Sequence, residues 1–261
     1  MSIFDGFKFR SVSSPVHRLD PRVKFFYICV TFTVAIIFNN LIPLLVIFLM
    51  QIPFVVVAGV GREWTRSMRG ALFFASIIFI VNFLSLHFYG YYSSVAYIVE
   101  RSVTMTVRFL VLVETFSIFF LTTSPDLLGL ALEQSGFPYD ICFAFTTAVR
   151  FVPVLAEEAQ TIVDAQKARG LELEGGNFVK RIKNYIPILV PLLVNSIRRS
   201  LELAETMESR AWGASRKRTN IYALKIGMKD VALTLFSIML LTVSLYTHFF
   251  VEISPISQMF S

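Results

Sequence analysis

The sequence is poor in charge. Only 16% of its 261 residues are Asp, Glu, Lys or Arg, where a soluble domain carries about a quarter. Residues of the Ala, Val, Ile, Leu, Met, Phe, Trp, Tyr and Cys set make up 55%, with 27 phenylalanines among them, and such a surplus of apolar surface needs lipid to cover it. Cysteine is scarce. Cys29 sits in an apolar run and Cys142 in the later half, without the spacing of a metal knuckle or a disulfide framework; both read as buried thiols. The three histidines, His17, His87 and His248, fall in separate regions, which suits interfacial or structural roles better than a metal cluster. No G-x-x-x-x-G-K-[ST] phosphate loop is present, so the chain is not expected to bind ATP through one. No catalytic, cofactor-binding or metal-ligating constellation is expected. The first 22 residues are basic (Lys8, Arg10, Arg18, Arg22) and lack an apolar core, which predicts that no signal peptide is removed.

What is abundant is uninterrupted hydrophobicity. A spanning segment must satisfy its own backbone, as helices or as a closed barrel. Barrel strands would alternate apolar and polar residues; here the runs are continuous, so helices are predicted. Residues 23–60 contain no charge after Lys24, and Asn39-Asn40 with Pro43 supply a turn, giving a helical hairpin of roughly 23–40 and 41–60. Gly59-Val60-Gly61 and the basic run Arg62, Arg66, Arg69 close it. A third span is expected over about 71–88, followed by Phe88, Tyr89, Tyr91 and Tyr92 at an interface where amphipathic rings settle. A fourth is expected over about 101–123 and a fifth over about 231–251. Of the 24 Lys and Arg, five precede residue 25, three lie in 61–70 and fourteen in 124–229. With five spans these segments share one side, and the positive-inside rule makes it cytoplasmic. The expected fold class is an all-α polytopic membrane protein with about five transmembrane helices plus two long amphipathic cytoplasmic helices. Its expected divisions are a membrane part at 1–123, a cytoplasmic segment at 124–229 and a final span with an external tail at 230–261.

The cytoplasmic segment opens at Ser124-Pro125-Asp126, a helix start with cap, first-turn proline and favourable charge. A short helix to about Gln134 stops at Gly136-Phe137-Pro138. A longer one runs to Arg169 with Gly170 as its C-terminal cap, and a second covers roughly 182–212, ending near Gly213. Ile197, Leu201, Ala204, Met207 and Ala211 recur at helical spacing, with Arg198, Arg199, Glu202, Glu205 and Glu208 elsewhere, the pattern of an amphipathic helix. The two long helices end alike: an arginine among small residues, with an acid five positions earlier (Asp164 and Arg169; Glu205 and Arg210). A cation at one helix end is explained by the dipole alone, an effect of about 0.3–1 kcal/mol. A matched pair in a membrane protein points to something that approaches closely, and Arg suits planar recognition.

Ser14 to Lys24 (SPVHRLDPRVK), Thr123 to Leu128 (TSPDLL), Arg150 to Pro153, Ala165 to Gly170 and Met207 to Arg210 occur in that order. Together they resemble, over nearly the whole chain, the transmembrane T component of energy-coupling factor transporters, the family that includes the cobalt-transporter membrane protein CbiQ. The resemblance implies two cytoplasmic coupling helices crossing as an X, two ATP-binding cassette ATPase subunits that receive their Ala-Arg-Gly ends, and a substrate-binding S component gripped by the membrane helices. It assigns Ala168, Arg169 and Gly170 to one ATPase, and Ser209, Arg210 and Ala211 to the other, where Ser stands for Ala and Ala for Gly. It also implies a non-catalytic subunit of the cell membrane, with no cofactor and no nucleic acid, whose vitamin or transition-metal substrate is chosen by the S component.

Leu19-Asp20-Pro21 reads as the cap of the first membrane helix, with Arg22 and Lys24 as surface anchors. Arg108 and Glu114 fall within the fourth span, where charge is costly and usually faces protein or water. Six residues apart, they point in different directions and are poor partners for each other, so each is expected to meet another helix or the S component, with an internal structural pair as the alternative reading. Two other readings fit the pattern: a conventional ABC permease, which would bind substrate itself, and a membrane enzyme or scaffold, which would want polar residues clustered at one depth.

Overall fold

The computed structural model describes residues 14–89, 95–172, 175, 177–214, 224 and 226–250. The basic tail at Lys8 and Arg10, the aromatic pair Tyr91 and Tyr92, and the segment after Glu252 lie outside the described residues. Within them the chain forms helices and no strands: α1 (Pro21–Ile37), α2 (Leu41–Ala58), α3 (Gly61–Tyr89), α4 (Val95–Thr122), α5 (Pro125–Gln134), α6 (Tyr139–Ala168), α7 (Phe178–Ser209) and α8 (Met228–Phe250). The polytopic all-α reading holds. One compact unit contains α1–α5 and α8, and the other contains α6 and α7.

Among the described residues five helices are long and apolar enough to cross a bilayer: α2, α3, α4, α6 and α8. The number is as expected, but α6 is among them and α1, expected as a span, is not. At 17 residues, α1 is about 26 Å long, short of a hydrocarbon core of about 30 Å.

Local chemistry explains the helix limits. Asp20 Oδ1 accepts the Arg22 N–H at 2.9 Å, and Pro21 opens α1. Gly59, at φ 71°, closes α2. Ser124 Oγ accepts the Leu127 N–H at 3.4 Å, and Pro125 opens α5. Two starts differ from expectation. α3 begins at Gly61 rather than near 71, because Arg62, Arg66 and Arg69 are good helix formers that end the apolar stretch without ending the helix. α7 begins at Phe178, four residues before the expected 182.

In the α1–α5 and α8 unit, Val30, Val34, Ala35, Phe38, Leu44, Ile47 and Val111 form one buried cluster, and Val16, Val55, Ala58, Val60 and Ile118 a second. Large apolar side chains such as Val56, Phe73 and Phe120 lie outside them and remain exposed, as helices facing acyl chains require.

A polar knot sits where α1 starts. Lys24 is 5% exposed, and its Nζ donates to Thr122 O at the end of α4 (2.8 Å) and to His17 O (3.4 Å). Asp230, in the first turn of α8, accepts the Asp20 N–H at 2.8 Å and the Gly227 N–H at 2.7 Å, and both carboxylates act electrostatically on the ammonium. Arg22 Nη2 donates to Gln134 Oε1 (2.8 Å), which also accepts the Leu224 N–H (3.3 Å). Beside them, His17 Nδ1 lies 2.7 Å from Ser14 Oγ, and burial, then the Lys24 cation, lowers the imidazole pKa from its usual value. The chain therefore leaves α4 and begins α8 at one place.

Removing the ammonium would take the counter-charge from two carboxylates and the donor from two carbonyls. Lys24→Ala is expected to cost about 3–5 kcal/mol, lowering the thermal midpoint of the detergent-solubilised protein by roughly 10 °C. An unchanged midpoint would mean that water already serves these groups.

Candidate functional site at two helix ends

α6 and α7 lie antiparallel. Gln166 Nε2 donates to Pro187 O (3.1 Å), Asn195 Nδ2 donates to Glu158 Oε1 (2.7 Å), and Arg199 Nη2 lies 3.3 Å from Glu158 Oε2. The first of these has a cause in the sequence. Pro191 has no N–H, so the Pro187 carbonyl four residues earlier loses its helical partner, and Gln166 takes it. At the other end Trp212, beyond α7, packs on the Phe143 and Tyr139 rings near the start of α6, with centroids 4.6 and 5.5 Å away. The C-terminal end of each helix thus lies beside the N-terminal part of the other. With 30 residues in α6, the two ends are separated by about 45 Å at helical rise.

The ends have the same hydrogen bonding. In α6 the Gly170 N–H donates to Lys167 O (2.9 Å) and the Leu171 N–H to Gln166 O (3.0 Å). In α7 the Ala211 N–H donates to Glu208 O (2.9 Å) and the Trp212 N–H to Met207 O (3.0 Å). Both are Schellman closures. The residue after each arginine is left-handed, Gly170 at φ 88° and Ala211 at φ 60°. The expected stop near Gly213 is corrected: α7 ends at Ser209, and Ala211 makes the turn because Trp212 is held by its aromatic neighbours. Ser209 Oγ donates to Thr206 O (2.9 Å), so the hydroxyl is satisfied on its own helix. Ala168, Arg169, Gly170, Ser209, Arg210 and Ala211 are all exposed.

α7 leaves its apolar face open. Ile182, Ile186, Leu193, Ile197 and Leu201 are all exposed, with Ile197 at 60%. The expected helical stripe is present but covers no core of its own.

Arg108 and Glu114 do not meet. Arg108 Nη2 donates to Phe38 O and to Asn39 Oδ1 (2.9 Å) at the α1–α2 turn. Glu114 has no exposed surface, and neither carboxyl oxygen has a hydrogen-bond partner among the described residues. The Trp64 indole comes close without closing an ordinary hydrogen bond. Next to it, Thr115 Oγ1 donates to Gln51 Oε1 at 3.0 Å. Sequence reasoning missed the Gln166, Glu158, Asn195 and Arg199 contacts between α6 and α7. Only the carbonyl freed by Pro191 was a readable signal.

A left-handed alanine carries a steric penalty of about 1 kcal/mol that glycine lacks. Ala211→Gly should therefore slow amide exchange at Trp212 about fivefold, and Gly170→Ala should speed it at Leu171 by a similar factor. If both leave exchange unaltered, the two closures are frayed in solution.

A family model described as CbiQ, cobalt transport protein, matches residues 12–221, which takes in both helix ends. A protein named energy-coupling factor transporter transmembrane protein EcfT, from Thermotoga maritima, is 31% identical over 258 residues, covering 92% of this chain and 93% of its own. Proteins of the same name from Clostridium kluyveri and Acidaminococcus fermentans are 30% identical over 251 residues (89% and 92% covered) and 31% over 236 residues (84% and 87%). By the extent of these matches and by its five long apolar helices, the chain belongs to the CbiQ/EcfT family of transmembrane components of energy-coupling transporters.

Proposed function

We propose that the α6–α7 pair docks two ATP-binding cassette ATPases, one at Ala168-Arg169-Gly170 and one at Ser209-Arg210-Ala211, and passes their movement to a substrate-binding S component. The observation that carries this reading is the twin closure: two exposed arginines, each in the same turn geometry, at opposite ends of one antiparallel pair. Opposite ends suit two separate copies of one kind of partner. ATP hydrolysis resides in those partners, and choice among vitamins or transition-metal ions resides in the S component. The apolar face of α7 is the surface offered to the membrane-embedded partner.

In this reading the N-terminal tail and segment 124–229 are cytoplasmic, residues 1–123 supply four spans, and 230–261 supply the last span and an external tail. α6 is apolar enough to cross, but two features support keeping it on the cytoplasmic side. Thr122 and Asp230 both adjoin the first turn of α1, so the chain between them leaves and returns on one face; a crossing by α6 would need a second by α7, whose Arg198, Arg199, Glu202, Glu205 and Glu208 are costly in lipid. Fourteen of the 24 Lys and Arg also fall in that segment, as the positive-inside rule expects.

Two measurements test the reading. A cysteine at Gly175 should react with an impermeant reagent only after the membrane is opened; reaction from outside would reverse the orientation. Removing an interfacial arginine costs about 2–5 kcal/mol, against at most about 1 kcal/mol for a surface pair. Arg169→Ala or Arg210→Ala should each weaken recovery of ATPase subunits from solubilised membranes, and the double variant should abolish uptake while still inserting. Lys should rescue poorly, since it lacks the planar fork. Full ATPase recovery and uptake by the double variant would make both arginines ordinary helix caps.

A further inference from the structure

α2 and α8 run antiparallel, with Ile42 beside the Thr247 end of α8 and Phe54 beside its Ala232 end. Residues 41–60 and 231–250 each contain no Asp, Glu, Lys or Arg. Twenty residues at helical rise cover about 30 Å, the thickness of a hydrocarbon core. The two stretches are also in register. The Phe54 and Phe236 rings have centroids 6.2 Å apart, and from that level each stretch extends five or six residues one way and thirteen or fourteen the other. The short sides end together, at Arg62 past α2 and at Lys229-Asp230 before Val231. Charge returns there on both, as it does where headgroups begin.

A seam runs between α2 and α8, with Val34 and Phe38 of α1 at its base. On the charged side it opens into a cleft of about 310 Å³ lined by Val16, Leu19, Phe54, Leu233 and Phe236, with exposed Lys229 at its edge. Phe236 also borders a second, apolar cavity of about 400 Å³, which continues the seam between Val46 and Met50 of α2 and Met239 and Val243 of α8. The cleft has a defined back wall. Val16, Leu19, Phe54 and Leu233 also enclose a space of about 20 Å³ that reaches Lys24 and Thr122. A molecule in the cleft would therefore lie against the knot that joins α1, α4 and α8.

The charges around the cleft favour an anion. Segments 14–24, 41–60 and 226–236, which wall it, hold four cations (Arg18, Arg22, Lys24 and Lys229) against two acids (Asp20 and Asp230). Both acids are buried and turned to backbone: Asp20 Oδ1 accepts the Arg22 N–H, and Asp230 accepts the Asp20 and Gly227 N–H groups. Arg62 and Glu63 offset each other at the end of α2. Lys229 is the charged side chain among those lining the cleft. An apolar cleft with a cation at its edge, where two membrane-length stretches end, complements an amphiphile with an anionic head.

We propose that this seam binds an anionic phospholipid, with its phosphate at Lys229 and one acyl chain in the cleft and on past Phe236 between α2 and α8. The bound lipid braces the back wall of the Lys24 knot, and so ties the packing of α1, α4 and α8 to the headgroup composition of the membrane. The site is the same whichever face of the membrane α8 starts from.

The test is lipid retention by the full chain, delipidated in detergent and then titrated with phosphatidylglycerol, phosphatidylcholine or inorganic phosphate. Native mass spectrometry reads the bound lipid, and the thermal midpoint reads the bracing. One phosphatidylglycerol per chain should be retained, about fivefold or more in preference to phosphatidylcholine, the factor that one cation at a membrane surface supplies. It should raise the midpoint, and inorganic phosphate should neither compete nor stabilise. Lys229→Gln should remove most of the preference. Ala232→Trp, which fills the cleft from an exposed position, should abolish the saturable retention; if that variant fails to insert, Lys229→Gln, a surface change, still decides. Equal retention of the two lipids by the unaltered chain, retention unmoved by Ala232→Trp, or displacement of phosphatidylglycerol by inorganic phosphate each overturns the site. An Ala232→Cys chain that cross-links to another membrane protein in native membranes, with no lipid retained, makes the seam a protein interface and overturns it too.

Discussion

One buried ammonium organises the membrane unit. Moving Lys24 out of water costs several kcal/mol unless its protons and charge are met. Its partners come from the tail before α1, from the last residue of α4 and from the first turn of α8. Satisfying one side chain therefore fixes three chain segments that are far apart in sequence. It also makes the intervening chain free to be large. Because Thr122 and Asp230 are held together, everything between them is a closed loop, whose closure cost rises only slowly with length.

The sequence made some of this legible and hid the rest for physical reasons. Caps are local, so Asp20-Pro21 and Ser124-Pro125 could be read directly, and both behave as read. Hydrophobicity measures lipid contact, so it located spans better than helix limits. The arginines of 62–69 end the apolar stretch but continue α3, and the real start lies ten residues earlier. The same limitation exchanged α1 for α6 in the tally of long apolar helices: α1 has 17 residues, while α6 is long and apolar enough to be counted. Asp230 gave no signal, since its bond to Asp20 joins residues 210 apart and no periodicity spans that distance. Glu114 was legible as an anomaly, but its inward direction depends on the packing of α4 against its neighbours.

The two helix ends show how a departure in sequence can leave geometry intact. Glycine after Arg169 and alanine after Arg210 make the same turn, because the hydrogen bonds that close a Schellman motif belong to the backbone. Alanine meets a steric cost there, and Trp212 stacking against Phe143 and Tyr139 offsets it. In the docking proposed above, what would matter is where the arginine points, and that depends on the turn rather than on its neighbours' identities.

Proline in α7 connects these levels. Pro191 would be a defect in an isolated helix, since it leaves the Pro187 carbonyl without its donor. Here the carbonyl becomes the attachment point for Gln166, three residues before Arg169. The end of α6 is thereby fastened to the body of α7 close to the arginine, whereas the end of α7 is fastened to α6 through Trp212, just beyond its own. Each arginine sits beside a cross-link to the opposite helix. A displacement applied at either end must therefore move both helices together, which is the property a transmitting element needs and one that two independently hinged helices would lack.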